Sequence, residues 1–210
     1  MSWNSLIQAL ASGALLGCFY TLMALAFSMI VGVSRALNLA HGELIILGGY
    51  LGYWLWAGFD LHPIVLLPLV ATAVLPLGLL WQWLLHRVPE PKELNSLVLT
   101  FGLSLLLQNA MLGLWKGDYR LISSPSLTES IRVGFVHLNR GRILVAVVAL
   151  AAVGLLSLGL TRTRWGRAIR ATALDREAAA LLGINVDRAS RTTFLLALAL
   201  AGVAGVLFAT

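Results

Sequence analysis

Asn38-Leu-Ala-His-Gly-Glu43 places an amide, an imidazole and a carboxylate within six residues at the start of an apolar run. Ionisable groups entering lipid are costly and need a reason to be there. One histidine and one carboxylate fall short of the three or four ligands of a zinc site, so no metal centre is expected. Asn38 is a good N-cap, and Glu43 would lie near the positive end of the helix dipole. On a helix, Asn38, His41 and Gly42 share one face. Two readings stay open: a satisfied capping cluster, or a polar patch that serves as a transport path or a hinge. Gly48, Gly49 and Gly52 follow closely and can break the run into a re-entrant or two-part helix.

Other chemistry is sparse. Lys92 is followed by Glu93 and Lys116 by Gly117, whereas a phosphate-binding P-loop needs Lys before Ser or Thr. Any ATP-driven function therefore requires another subunit, and the chain is not expected to be an enzyme. Ser123-Ser-Pro and His137 lack a paired base and orienting acid at a recognisable spacing. Cys18 is the sole cysteine, so no intramolecular disulfide forms.

The most charged stretch, Thr161–Arg191, holds seven of the 13 arginines. Thr172 is suited to cap a short helix over Ala173–Leu182, with Asp175 at its third position. Gly183 is placed to end that helix in the left-handed conformation. Leu174, Ala178, Leu181 and Leu182 recur at helical spacing and make one face apolar. Such a helix can rest on a bilayer or fill a groove in a partner protein.

The elements that carry these residues follow from composition. Of 210 residues, 59% are apolar and 11% charged, against about 45–50% and about 25% in soluble domains. Six apolar runs, over residues 6–33, 39–59, 64–85, 94–115, 143–160 and 192–210, approach or exceed the ~20 residues that cross a bilayer. The expectation is one all-α integral membrane domain over residues 1–210 with about six transmembrane helices. An outer loop spans 116–142 and a cytoplasmic loop spans 161–191. Pro68 and Pro76 should kink the third run. Ile131–Leu138 reads as a short strand or hairpin outside the bilayer. With Thr161–Arg191 inside, ten basic residues fall inside: Arg35, Arg87, Lys92 and the seven arginines from Arg162 to Arg191. Five fall outside: Lys116, Arg120, Arg132, Arg140 and Arg142. That bias is positive-inside and puts the N-terminus outside. The net charge of +6 thus records topology rather than nucleic-acid binding. Small residues at four-residue spacing (Gly13 and Gly17, Gly48 and Gly52, Ala197, Ala201 and Gly205) suit close helix packing.

Two motifs about 130 residues apart carry a family resemblance. Gly17-Cys-Phe-Tyr20, Leu25–Val33, Asn38-Leu-Ala-His-Gly-Glu43 and Gly48-Gly-Tyr50 resemble the N-terminal signature of LivH-type permeases of high-affinity branched-chain amino acid importers. Thr21, Met23 and Leu39 are mild departures. Gly166-Arg-Ala-Ile-Arg170, Glu177-Ala-Ala179 and Leu182-Gly-Ile-Asn185 resemble the EAA-type loop of ATP-binding-cassette importers, and Phe194–Leu207 also fits. The resemblance implies a permease subunit working by alternating access, with the loop as coupling helix on an ATPase. Gly166, Arg167, Arg170, Asp175, Glu177, Ala178, Ala179, Leu182, Gly183 and Ile184 would make that coupling surface. It implies a second, homologous permease subunit, two ATP-binding subunits holding ATP and Mg, and a periplasmic or extracellular solute-binding protein. The chain itself would bind no cofactor. The implied location is the bacterial inner membrane, and the implied substrates are branched-chain amino acids, or the urea, amides or sugars of related systems. A proton-coupled secondary transporter is the rival from another class, with Glu43 and His41 as relay. Family members run some 80 residues further, so the chain is expected to be a C-terminally shortened form.

Overall fold

The computed structural model describes residues 3–34, 38–89, 91–118, 120–123, 129–133 and 136–210. Arg35 lies outside them. The first apolar run is one long helix, α1 (Trp3–Ser34). It is followed by α2 (His41–Phe59), α3 (Pro63–Ala73), α4 (Leu75–His86) and α5 (Lys92–Trp115). A hairpin, β1 (Ser130–Val133) with β2 (Val136–Asn139), leads into α6 (Arg140–Arg162). The chain closes with α7 (Arg164–Leu174), α8 (Arg176–Leu181) and α9 (Val186–Phe208).

Among the described residues, five segments are long and apolar enough to cross a membrane: Ser5–Val33, Pro63–Leu85, Leu94–Trp115, Arg140–Arg162 and Val186–Phe208. The expectation of about six counted the second run as well. The second run does form a helix, but His41, Glu43, five glycines and its tyrosines and tryptophans dilute its apolar content. The third run divides at Val74, one residue before α4 begins. Pro68 is accommodated inside α3, where the Thr72 hydroxyl donates to the Pro68 and Leu69 carbonyls. Pro76 sits in the first turn of α4, where its missing N–H costs nothing. The expected hairpin forms, antiparallel, with Ile131 paired to Leu138 and Val133 to Val136.

The core is built around α9, which packs against α1, α2, α3, α4, α7 and α8. One cluster joins Leu44 of α2, Leu66, Val70 and Val74 of the α3–α4 pair, Trp81 and Phe194. A second joins Phe19 and Leu22 of α1 to Ala149 of α6 and to Ala201, Ala204 and Leu207 of α9. By contrast, among the described residues α5 packs mainly along α2.

Candidate functional site

The sequence-predicted residues fall into two regions, one at each end of a functional argument. The first is the charged segment over residues 161–191. Thr163 caps α7: its hydroxyl oxygen accepts from Gly166 N at 3.0 Å. The hydroxyl also donates to the Gly159 carbonyl at 2.6 Å. Gly166 is buried where α6 turns into α7, and a Cβ there would overlap the backbone of Leu160. Arg167 and Arg170 stand on the exposed side of α7. Ile169 faces inward and packs with Val33 and Ala189.

The expected helix over Ala173–Leu182 is two helices with a break at Asp175. The cap is Asp175, whose Oδ1 accepts from Glu177 N and Ala178 N at 2.9 and 3.0 Å. Thr172 does not cap: it is buried late in α7, and its hydroxyl donates to the Ala168 carbonyl. Gly183 ends α8 in the left-handed region, with φ +80°. Its N–H donates to Ala180 O, and Ile184 N–H reaches back to Ala179 O, the paired bonds of a Schellman motif. Ala179 is buried and Ile184 half-buried, while Asp175, Glu177, Ala178, Leu182 and Gly183 are exposed. Leu174, Leu181 and Leu182 are 83, 89 and 81% exposed, so the apolar face points away from the protein. The segment is held from behind by Trp165 Nε1–H donating to Thr192 Oγ1 at 2.9 Å and by Arg176 bonding Asp187 at 3.1 Å.

The second region is the start of α2. Asn38 is not its N-cap, because the helix begins at His41 and Ala40 occupies the cap position. Asn38 instead closes an Asx turn, its Oδ1 accepting from Ala40 N at 3.2 Å. Its side chain is 2% exposed, and Nδ2 has no hydrogen bond among the described residues. His41 is 6% exposed, beside the Phe27 ring at 5.7 Å and against the Met23 backbone. Glu43 is half-buried and its Oε1 accepts from Ser104 Oγ on α5 at 3.4 Å. Leu39 N–H points to Thr100 Oγ1 on the same helix. Sequence reading placed the α5 span at 94–115 but missed its polar stripe. The signal was there: Ser96, Thr100, Ser104 and Gln108 recur every four residues and form one stripe about 18 Å long.

Gly48 and Gly49 belong to a different arrangement. The helix runs unbroken through them, so they do not divide it. They face α9, and a Cβ on Gly48 would lie 2.8 Å from Gly202 Cα, one on Gly49 3.0 Å from Gly205 O. Gly205 in turn meets the Ile45 carbonyl so closely that no side chain fits. Gly42 is the opposite case, with open space where its Cβ would be. Gly13 and Gly17 on α1 are likewise open.

At the far end of α2, Tyr50 stacks on Trp115 at 4.4 Å and Arg120 lies over Tyr53 and Trp54. Ile122 is buried and donates its N–H to Ala209 O at 2.7 Å, tying the stretch after α5 to the end of α9.

Five apolar spans among the described residues make this a multi-pass membrane protein, and the family comparison puts it in the permease class. The chain matches, over residues 9–210, the family described as branched-chain amino acid transport system, permease component, and it belongs to that family. It is 30% identical to the high-affinity branched-chain amino acid transport permease LivH of Salmonella typhimurium, covering 96% of this chain and 70% of that one. It is 29% identical to LivH of Escherichia coli K12 and 30% to BraD of Pseudomonas aeruginosa, with the same coverage. No solved structure matches it.

Proposed function

We propose that this chain is the membrane permease subunit of an ATP-driven importer of branched-chain amino acids in a bacterial inner membrane. The family match over residues 9–210 is the observation that carries the reading. ATP and Mg would sit on two partner ATPases, and a second permease subunit would complete the pathway. An extracytoplasmic solute-binding protein would deliver the amino acid at the loop over 116–142. The inner segment supports the ATPase contact. Three leucines more than 80% exposed on α7, α8 and the turn after it lie beside arginines that keep the segment at a water interface. An exposed amphipathic face of this kind suits a groove in a partner. Nucleotide-driven motion of the ATPases would pass through α8 to the spans, which rock between inward- and outward-open arrangements. Asn38, His41, Gly42 and Glu43 would contribute to the translocation path. The Gly48–Gly49 contact with α9 would act as the pivot.

The test is co-purification of the gently solubilised full gene product with its companions. ATP-binding subunits are expected with the intact chain and absent when Leu181 and Leu182 are both replaced by Asp. Their absence from the intact chain across several detergents would sink the proposal.

A further inference from the structure

We infer that the first turn of α2 and the polar stripe of α5 form a recognition site for the amino-acid zwitterion at mid-membrane depth. Glu43 takes the ammonium, and the amide donors at the start of α2 take the carboxylate. The inference deepens the importer reading and rests on it.

Depth is the first argument. Ser104 lies twelve residues after Lys92 and eleven before Trp115, at the middle of the α5 span. Glu43 is hydrogen-bonded to it, so this carboxylate stands level with the centre of a transmembrane helix. His41 is level with Phe27, seven residues before the inner end of α1. The chain thus passes inward along α1, and α2 begins again well inside the span.

A helix that starts at this depth brings its first-turn N–H groups, of which His41 N–H already bonds Asn38 O at 3.3 Å, and the positive end of its dipole into the membrane interior. That is the arrangement by which interrupted helices hold anionic substrate groups near a bilayer midplane. Space is present: nothing lies within 4 Å of a Cβ built on Gly42. A second observation at the same point indicates a ligand. Asn38 Nδ2 is more than nine-tenths buried and has no hydrogen bond among the described residues. Buried polar groups are ordinarily satisfied.

Charge supplies the ammonium half. Glu43 is half-buried, and no arginine or lysine pairs with it among the described residues; its one described partner is a neutral hydroxyl. A carboxylate at this depth is expected to face a cation or a watery path. Gln108 is exposed one helical turn beyond Ser104, which extends the polar lining outward. Val98 and Leu106, on the side of α5 away from Ser104, are apolar and exposed. Ser96 and Thr100 are buried and Ser104 half-buried, so this part of the stripe lies on the covered side of the helix.

The experiment is ATP-dependent uptake of L-leucine into vesicles by the full gene product assembled with its companion subunits. Glu43→Gln, Glu43→Asp, Ser104→Ala and Gln108→Leu are compared, with ATP hydrolysis measured in parallel. Glu43→Gln keeps the shape and should lower uptake at least tenfold while ATP hydrolysis persists. Glu43→Asp should restore a substantial part of it, and Gln108→Leu should lower it several-fold. Uptake at the unsubstituted rate in both Glu43→Gln and Gln108→Leu overturns the site and leaves the importer reading standing. An unsubstituted complex that takes up no leucine under ATP overturns both. If Glu43→Gln fails to assemble, Gly42→Val carries the test. It fills the open space beside the first turn, and normal leucine uptake in that variant also overturns the site.

Discussion

Helices α9 and α5 are both apolar enough to span a membrane, yet 56% of the most apolar stretch of one is buried and only 11% of the other. Their glycines show what that difference means. On α9, Gly202 and Gly205 stand where a side chain would run into Val74 or the backbone of α2. On α5, Gly102 and Gly113 meet nothing within 4 Å. The same residue is a packing requirement in one helix and an unused freedom in the other. The folded unit is thus a rigid centre, α9 with α1, α2 and the α3–α4 pair, carrying a loosely held polar-striped helix at its side. An element with few packed contacts is the one that moves at low cost.

The largest effect expected is from Gly205→Val. Its side chain would have to displace the Ile45 carbonyl and Gly49 N, both backbone. Overpacking against side chains costs about 1–3 kcal/mol, and backbone cannot repack, so a loss above about 3 kcal/mol is expected. The yield of monodisperse protein and its melting temperature in detergent measure it. Normal melting would mean that the α2–α9 contact is looser than its geometry.

Much of this was legible in the sequence where local rules decide. The apolar runs became helices, and Gly183 took the left-handed turn because only a glycine does so at no steric cost. The hairpin at Ile131–Leu138 followed from its residue types. What failed depended on neighbours the sequence does not show. Gly48 and Gly49 looked like a helix break, but their partner is 154–156 residues away on α9. Thr172 and Asp175 both have side chains that cap helices. Burial of Thr172 against the core left the role to Asp175. Asn38 likewise looked like a cap, but its Asx turn delays the helix to His41. The α5 stripe was visible as a four-residue period, and only the bond from Ser104 to Glu43 shows which way it faces.

The α7–α8 segment falls between the two helices, anchored on one side and bare on the other. Gly183→Pro removes the N–H that bonds Ala180 O and cannot adopt φ +80°. The last turn of α8 should open at a local cost of about 3 kcal/mol. Faster amide exchange at Leu182 and Ile184 checks this, and leucine uptake should fall while ATP hydrolysis continues. Glu177→Lys should uncouple in the same way without opening the helix, because its side chain is exposed. Full coupling in both variants would show that this segment does not transmit the ATPase motion.

Trp165→Phe tests the anchored side. It deletes one side-chain hydrogen bond, to Thr192, and leaves the ring packing with Val33 and Ile169 largely in place. A loss of about 1 kcal/mol is expected. A melting shift comparable to that of Gly205→Val would place the α7–α8 segment inside the rigid centre.

The smallest effect, opposite in sign, should come from Gly102→Ala. Gly102 is exposed in the middle of α5, two residues before Ser104 and so on nearly the opposite side of the helix. The added methyl meets no atom of the chain. An alanine there restricts the unfolded backbone and suits a helix interior, which favours the folded state by about 0.5–1 kcal/mol. A slight rise in melting temperature with unchanged leucine uptake fits an α5 whose outer side faces lipid. A marked loss of assembled transporter, with the isolated chain as stable as before, would instead mean that a partner subunit approaches α5 closely enough to need the glycine. The contrast with α9 would then be one of subunit boundaries and not of packing against rigidity.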